Sequence, residues 1–169
     1  MKDYKRIAPS EIKGNPFSLI GDDWMLITAG DIEDYNTMTA SWGGLGVLWH
    51  KNICTIYVRP QRYTLEFLEK NEIFTLSFFD SRYREALKFC GSKSGRDYNK
   101  AAETGLTPAA TEMSSVGFNE ANLIIECRKI YFQDIVPENF LHESIQKNYP
   151  DSDYHRVYVG EILNVYSKV

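Results

Sequence analysis

Cysteine is scarce in this 169-residue chain: Cys54, Cys90 and Cys127, an odd number and far apart. No CxxC pair occurs, which argues against a structural zinc site or a thioredoxin-type motif; no metal site is expected. Reduced, buried thiols in a cytoplasmic protein are the plain reading. Positive charge is also short, with 19 Lys and Arg against 23 Asp and Glu. A general nucleic-acid binder would carry a basic surplus, so no nucleic-acid partner is expected. No apolar run approaches the ~18 residues of a membrane-spanning helix, and no membrane association is expected. The first thirty residues hold no apolar stretch of signal-peptide type. Repeats, low-complexity tracts and linkers are absent, so residues 1–169 read as one domain, within the usual ~100–200 residues.

What the chain does have is apolar and aromatic material. Hydrophobic residues make up 43% of it, enough for one core at this length. The 11 Tyr, 9 Phe and 3 Trp favour strands first and flat ligands second. Strand-like segments run over 24–29, 36–42, 45–49, 53–58, 73–79, 123–133 and 157–165. His50-Lys51-Asn52 is expected to form a tight hairpin loop. A short helix is expected over 64–71, with Thr64 as N-cap. Tyr83, Ala86, Leu87 and Cys90 form one helical stripe, capped by Asp80 or Ser81. Leu141, Ile145 and Tyr149 suggest a helix after Pro137. Strands do not alternate with helices, which disfavours a parallel doubly wound sheet. A mainly β fold, a small barrel with short helical insertions, fits better.

Familiar enzyme signatures fail. Gly44-Leu45-Gly46 begins a dinucleotide fingerprint, but Trp49 stands where the last glycine is needed. His142-Glu143-Ser144-Ile145-Gln146 lacks the second histidine of HExxH. Lys93 occupies the serine position of a nucleophile elbow in Gly91–Gly95. His50 and His142 read as ordinary surface residues.

Two segments stand out. Asn36-Thr37-Met38-Thr39-Ala40-Ser41-Trp42, followed by Gly43-Gly44, sets amide and hydroxyl groups beside a large aromatic. Such a segment could hydrogen-bond the edge of a flat heterocycle, or be an edge strand with its hydroxyls in water. Arg59-Pro60-Gln61-Arg62-Tyr63-Thr64, with Lys93, Ser94, Arg96 and Lys100, places five cations in two short stretches of an acidic chain. They suit a phosphate near a helix start, or are solvated loop charges. Together the segments suggest a ligand with a flat polar ring and a phosphate tail, the shape of flavin mononucleotide (FMN).

The order of Asn36–Trp42, Val58–Thr64, Asn71–Leu76, Ser92–Asp97, Thr104–Pro108 and Tyr158–Ile162 resembles the flavin reductase-like family of FMN-binding split-barrel proteins, flavoredoxins included. The resemblance implies a six-stranded Greek-key split barrel, a homodimer and bound FMN near the subunit interface. It implies that Asn36, Thr37, Met38, Thr39, Ser41 and Trp42 hold the ring and upper ribityl. Arg59, Arg62, Tyr63 and Thr64 would hold ribityl and phosphate, and Lys93, Ser94, Arg96 and Lys100 would neutralise the phosphate. His155, just before the last strand, is a candidate for proton relay or flavin tuning, or else a solvent-facing turn residue. The implied activity is NAD(P)H-dependent reduction of flavin or another acceptor. The alternatives are a non-enzymatic FMN electron carrier fed by a protein donor, and a barrel kept only for interactions. Relatives differ widely over the stretch from Phe132 to Tyr154, which the resemblance places on the substrate side.

Overall fold

The computed structural model describes residues 3–169. The strands are β1 (Tyr4–Ile7), β2 (Met25–Gly30), β3 (Tyr35–Ala40), β4 (Gly43–Leu48), β5 (Lys51–Val58), β6 (Ile73–Phe78), β7 (Pro108–Ala110), β8 (Val116–Phe118), β9 (Leu123–Asp134) and β10 (Arg156–Lys168). Three short helices interrupt them: α1 (Thr64–Lys70), α2 (Arg84–Ser92) and α3 (Lys100–Thr104). The main sheet runs β3-β2-β6-β9-β10-β5-β4, with β1 added beside β10, and every pairing is antiparallel. All seven strands read from the sequence are present. Where six barrel strands are expected, the main sheet has eight, β1 included, and a separate β7–β8 ribbon packs beside it. Among the described residues, no helix is long and apolar enough to cross a membrane.

The strand pattern follows from burial on both faces. Met25, Ile27 and Ala29 of β2 enter the main core with Met38, Ile56, Phe74, Leu76 and Ile125. Leu26 points the other way, into a second cluster with Leu87 and Cys90 of α2, Ala101 of α3, and Phe118. A strand covered on both faces needs no polar alternation. The one hydroxyl buried in β2, Thr28, is matched by Thr37 Oγ1 at 2.9 Å. α1 packs Phe67 and Leu68 into the main core and so lies against the inside of the curved sheet. Each such fully buried side chain contributes about 1.5–3 kcal/mol.

The stripe Tyr83, Ala86, Leu87 and Cys90 is the inner face of α2. Asp80 caps the 3-10 turn leading into it, accepting from Arg82 N at 3.1 Å. Three local expectations fail. The hairpin turn is Trp49-His50, both with positive φ of 51° and 59°, and Lys51 already belongs to β5. Two positive-φ residues give a turn twisted to match the strands it joins. Thr64 is the first residue of α1 and not its cap, because its hydroxyl accepts from Asn36 Nδ2 at 2.7 Å. The helix expected after Pro137 is two 3-10 turns, 137–139 and 143–148. Leu141 is 91% exposed, so the apolar spacing there has no core to face.

β10 is bent by register shifts at Val159/Gly160 and Ile162/Asn164. Gly160 is needed there for close approach: a Cβ would lie 2.6 Å from the Phe74 ring and 3.0 Å from Cys127 Cβ. Over this bare position Cys54 of β5 and Cys127 of β9 meet, sulfur to sulfur, at 3.4 Å. All three cysteines are free and buried.

Candidate functional site

β3 ends the sheet, so one rim of its backbone has no strand partner. Peptide groups along a strand alternate between partner and open rim. The Thr37 carbonyl faces the open rim, where Lys100 Nζ donates to it at 2.7 Å; the Thr39 peptide groups share that side. The side chains alternate as well. Asn36 and Met38 turn towards the groove beside α1, whereas Thr37 bonds Thr28 and Thr39 donates to the Leu87 carbonyl at 2.5 Å. The threonine hydroxyls are therefore committed within the fold, and the amide, thioether and backbone are what this strand offers a ligand.

Two cavities share the walls Met38 and Arg62. The first, about 150 Å³, is lined by Thr39, Ser41, Trp42, Tyr57, Arg59 and His155. The second, about 290 Å³, is lined by Asn36, Gln61, Tyr63, Thr64, Ser92, Lys93, Ser94, Gly95 and Lys100. They form a groove with aromatic rings at one end and cations, hydroxyls and backbone at the other. Twelve of the fourteen residues expected to hold a ligand line the groove. Thr37 and Arg96 do not: both line an adjoining cavity of about 390 Å³. Thr37 turns its hydroxyl to Thr28, and Arg96 is held elsewhere. Its guanidinium pairs with Glu66 and lies 4.4 Å from the centre of the Tyr63 ring.

Gly95 fixes the closeness of the 93–98 loop to β3. A Cβ on it would fall 1.8 Å from Asn36 Oδ1. Asn36 thus sits between Thr64 and the Gly95 α-carbon, and ties the loop, β3 and α1 together. Lys100 is buried and donates to the carbonyls of Thr37 and Cys90 at 2.7 and 2.8 Å. Burial lowers its pKa to about 8, with the neighbouring Cys90 acting to raise it and Arg62 to lower it. Arg62 donates to the Gly91 carbonyl at 2.6 Å, and burial, then Arg59, draws its pKa down; guanidinium remains charged.

At the aromatic end, Arg59 turns away from the cationic end. It pairs with Asp153 at 2.5 Å, donates to the Asn148 carbonyl at 2.8 Å and lies 5.2 Å from the Tyr149 ring centre. Gln61 reaches the same Asp153 oxygen at 2.6 Å. These contacts fasten the 148–153 stretch to the residues just past β5. His155 is buried, its ring 5.1 Å from that of Trp42, and its Nδ1 shares a 2.9 Å hydrogen bond with the Tyr149 hydroxyl. It is not the solvent-facing turn residue of the alternative reading. Burial, then Arg59, lowers its pKa to about 4, so the imidazole is neutral at pH 7.

That shift has a measurable consequence. Unfolded His155 takes up a proton near pH 6.5 and the folded form only near 4. Between those values the unfolded state binds more protons, so stability is full above about 6.5 and is lost as pH falls. The expected loss from pH 6.5 to 4 is up to about 3 kcal/mol. Asp153, held low by Gln61 and Arg59, and Asp134, held low by Arg156, add their losses only below about 4. Urea melts of the ligand-free protein at pH 7 and 4.8 should differ, and His155→Gln should remove most of the difference. An unchanged slope in the variant would assign the titration elsewhere.

Sequence reading missed Tyr57 as a groove residue and Tyr149 as the hydrogen-bond partner of His155. Tyr57 gave no signal beyond strand alternation, and Tyr149 was assigned to a helix face that does not form.

The solved structures similar to this chain place the groove in context. A flavoredoxin from Methanosarcina acetivorans is 22% identical, with TM-score 0.69, covering 94% of this chain and 75% of that one. The FMN-binding domain of a flavin reductases-like enzyme from Shewanella baltica is 17% identical, TM-score 0.70, with 98% and 77% covered. The flavoredoxin of Desulfovibrio vulgaris is 21% identical, TM-score 0.68, with 97% and 76% covered. These likenesses establish the split-barrel fold. No curated protein matches the chain in sequence. The family model of the flavin reductase like domain matches residues 18–168, spanning β2 to β10 and both ends of the groove, and the chain belongs to that family.

Proposed function

We propose that this chain is a cytoplasmic, homodimeric FMN-binding oxidoreductase that passes electrons from NAD(P)H through bound FMN to flavin or another acceptor. The observation that carries this reading is the two-ended groove. A flat ring fits the end walled by Trp42 and His155, and a phosphate fits the end with Thr64, Lys93 and Ser94, with Met38 and Arg62 common to both. Gly95, with no side chain, lets the loop backbone pack directly on the Asn36 amide, which suits backbone N–H groups brought close to a phosphate. Bound FMN would supply the hydride and electron chemistry. The protein's share is positioning: Asn36 and the open rim of β3 offer hydrogen bonds to the ring and ribityl. Arg62 adds positive charge at the middle of the groove. Neutral His155 adds no positive charge to the aromatic end, where Arg59 is paired with Asp153. The family supports this reading, as do the FMN-binding protein of Thermus thermophilus and an NADH:FAD oxidoreductase of Streptomyces globisporus among similar structures.

Protein purified and denatured should release FMN and not FAD. Anaerobic mixing with NADH or NADPH should then bleach the flavin band within a catalytic turnover time. Release of FAD, or an apo-protein that takes up no flavin, would overturn the cofactor assignment. Flavin that stays oxidised with both nucleotides would favour the second reading, a non-enzymatic carrier of the flavoredoxin kind that takes electrons from a protein. The likeness to two flavoredoxins supports that alternative. Light scattering is expected to give twice the chain mass with FMN bound. A monomer with tightly bound FMN would remove the dimer from the proposal.

A further inference from the structure

Tyr149 is not among the walls of the aromatic end of the groove, yet its hydroxyl reaches His155, which is. Both side chains are buried. The phenol ring is gripped on several sides. It stacks on Phe140 with ring centres 6.0 Å apart, meets Tyr154 at 5.0 Å, and carries the Arg59 guanidinium 5.2 Å from its centre. Arg59 is itself tied to Asp153 and to the Asn148 carbonyl. The hydroxyl is therefore held in place by a rigid cluster, and its one exit is towards the imidazole.

The direction of the Tyr149–His155 bond follows from what each group can do. Burial, above all, raises the Tyr149 pKa above its ordinary value, so the hydroxyl keeps its proton at neutral pH. A buried O–H needs an acceptor. Among the described residues its one hydrogen-bond partner is His155 Nδ1, at 2.9 Å. Burial lowers the His155 pKa to about 4, so its ring is neutral and able to accept. A neutral imidazole that accepts at Nδ1 carries its proton on Nε2. Nε2 has no hydrogen-bond partner among the described residues. Nor is it sealed: the buried side-chain atoms left without a partner are Ser77 Oγ, Ser115 Oγ and Asp153 Oδ1. It stays accessible on a ring that helps wall the cavity with Trp42.

We propose that Tyr149 is a positioning residue, whose hydroxyl locks His155 in the tautomer that presents an Nε2–H donor, and not a lone pair, to the aromatic end of the groove. The tautomer stands on the protein alone. Its consequence rests on the flavin reading above: an N–H donor beside the ring favours the reduced, more electron-rich state over the oxidised one.

The test begins with the flavin-free full chain carrying isotope-labelled histidine, read by proton–nitrogen NMR at neutral pH. His155→Gln assigns the signal by its loss. The expected result is a proton on Nε2 and none on Nδ1. Tyr149→Phe keeps the ring and its packing and removes only the oxygen. It is expected to mix the two tautomers and to leave the melting temperature near that of the parent. The same variant should narrow the preference for reduced over oxidised FMN by roughly tenfold, the worth of about one hydrogen bond, measured as the ratio of the two dissociation constants. Tyr154→Phe is the control: its hydroxyl bonds Gln146 at 2.9 Å in the same ring cluster, and its loss should move neither readout. A proton on Nδ1 in the parent, or an unchanged tautomer in Tyr149→Phe, would overturn the proposal. So would an equal tautomer change in Tyr154→Phe, which would assign the effect to general loosening of the cluster. A changed tautomer with an unchanged ratio of FMN affinities would overturn the link to the flavin. A protein that takes up no flavin would overturn the flavin reading and leave the tautomer result intact.

Discussion

Replacing Gly95 with alanine is expected to weaken FMN binding by about 100-fold or more while leaving the flavin-free fold intact. The added methyl would stand 1.8 Å from Asn36 Oδ1. That distance is far inside contact, so either the loop lifts or Asn36 turns out. If the loop lifts, Lys93, Ser94 and the local N–H groups move off together. Two charge-assisted contacts at about 1.5–3 kcal/mol each account for the expected loss. If Asn36 turns, its bond to Thr64 at 2.7 Å goes, and α1 loses its tie to β3. Both routes damage the groove and neither touches the main core, so melting of the apo-protein should shift by only a few degrees. Gly91→Ala, in the last turn of α2 just before that loop, is the control: its Cβ would meet Thr39 Cβ at 3.2 Å, a distance small adjustments can absorb. Flavin fluorescence titration would measure both. An alanine at 95 that binds FMN as tightly as the parent would show that this approach does not shape the site.

The double change Lys93→Ala and Arg96→Ala is expected to weaken FMN binding by roughly 10- to 100-fold, and riboflavin binding much less. Riboflavin lacks the phosphate, so the differential isolates that contact from general damage. The structure also divides the effect unevenly. Lys93 lines the cationic end of the groove, whereas Arg96 is turned to Glu66 and the Tyr63 ring. The Arg96–Glu66 pair is half exposed on both sides, and such pairs are worth about 0–1 kcal/mol. Arg96 can therefore leave Glu66 for a phosphate at little cost, but its net gain is smaller than that of Lys93. Lys93→Ala alone should carry most of the loss. Equal losses for FMN and riboflavin would move the phosphate away from this loop, and a large loss from Arg59→Ala alone would move it to the 59–64 segment.

Strands and the α2 stripe were legible because burial imposes a period, and period survives in a single sequence. The strands that went unread, β1 and those of the separate β7–β8 ribbon, are three or four residues long and too short to show one. The failed helix at 141–149 had the right spacing, but only Tyr149 of its three apolar positions is buried. Spacing predicts a face and says nothing of whether a core lies under it. At the site, reading Asn36–Trp42 as one block hid the strand's own alternation. The same pleat that offers Asn36 and Met38 to the groove sends the hydroxyls of Thr37 and Thr39 into the fold. Arg59 shows the other limit. Its partners Asp153 and Asn148 lie some ninety residues away in a segment with no regular pattern. No local rule connects them: charge counting offers Arg59 to a ligand, and the structure shows a guanidinium that lines the groove while paired with Asp153.

Cys54 and Cys127 touch across Gly160 from strands on either side of β10, and both thiols are free. Burial also pushes the Cys127 thiol well above its ordinary pKa, and the Cys90 thiol to about 11. The chain thus carries built-in opening reporters. Cys90 sits in the cluster outside the sheet and the other two in the barrel interior. Alkylation under native conditions, resolved by peptide mass, would time the two layers separately and tell whether the helical cover detaches before the barrel opens.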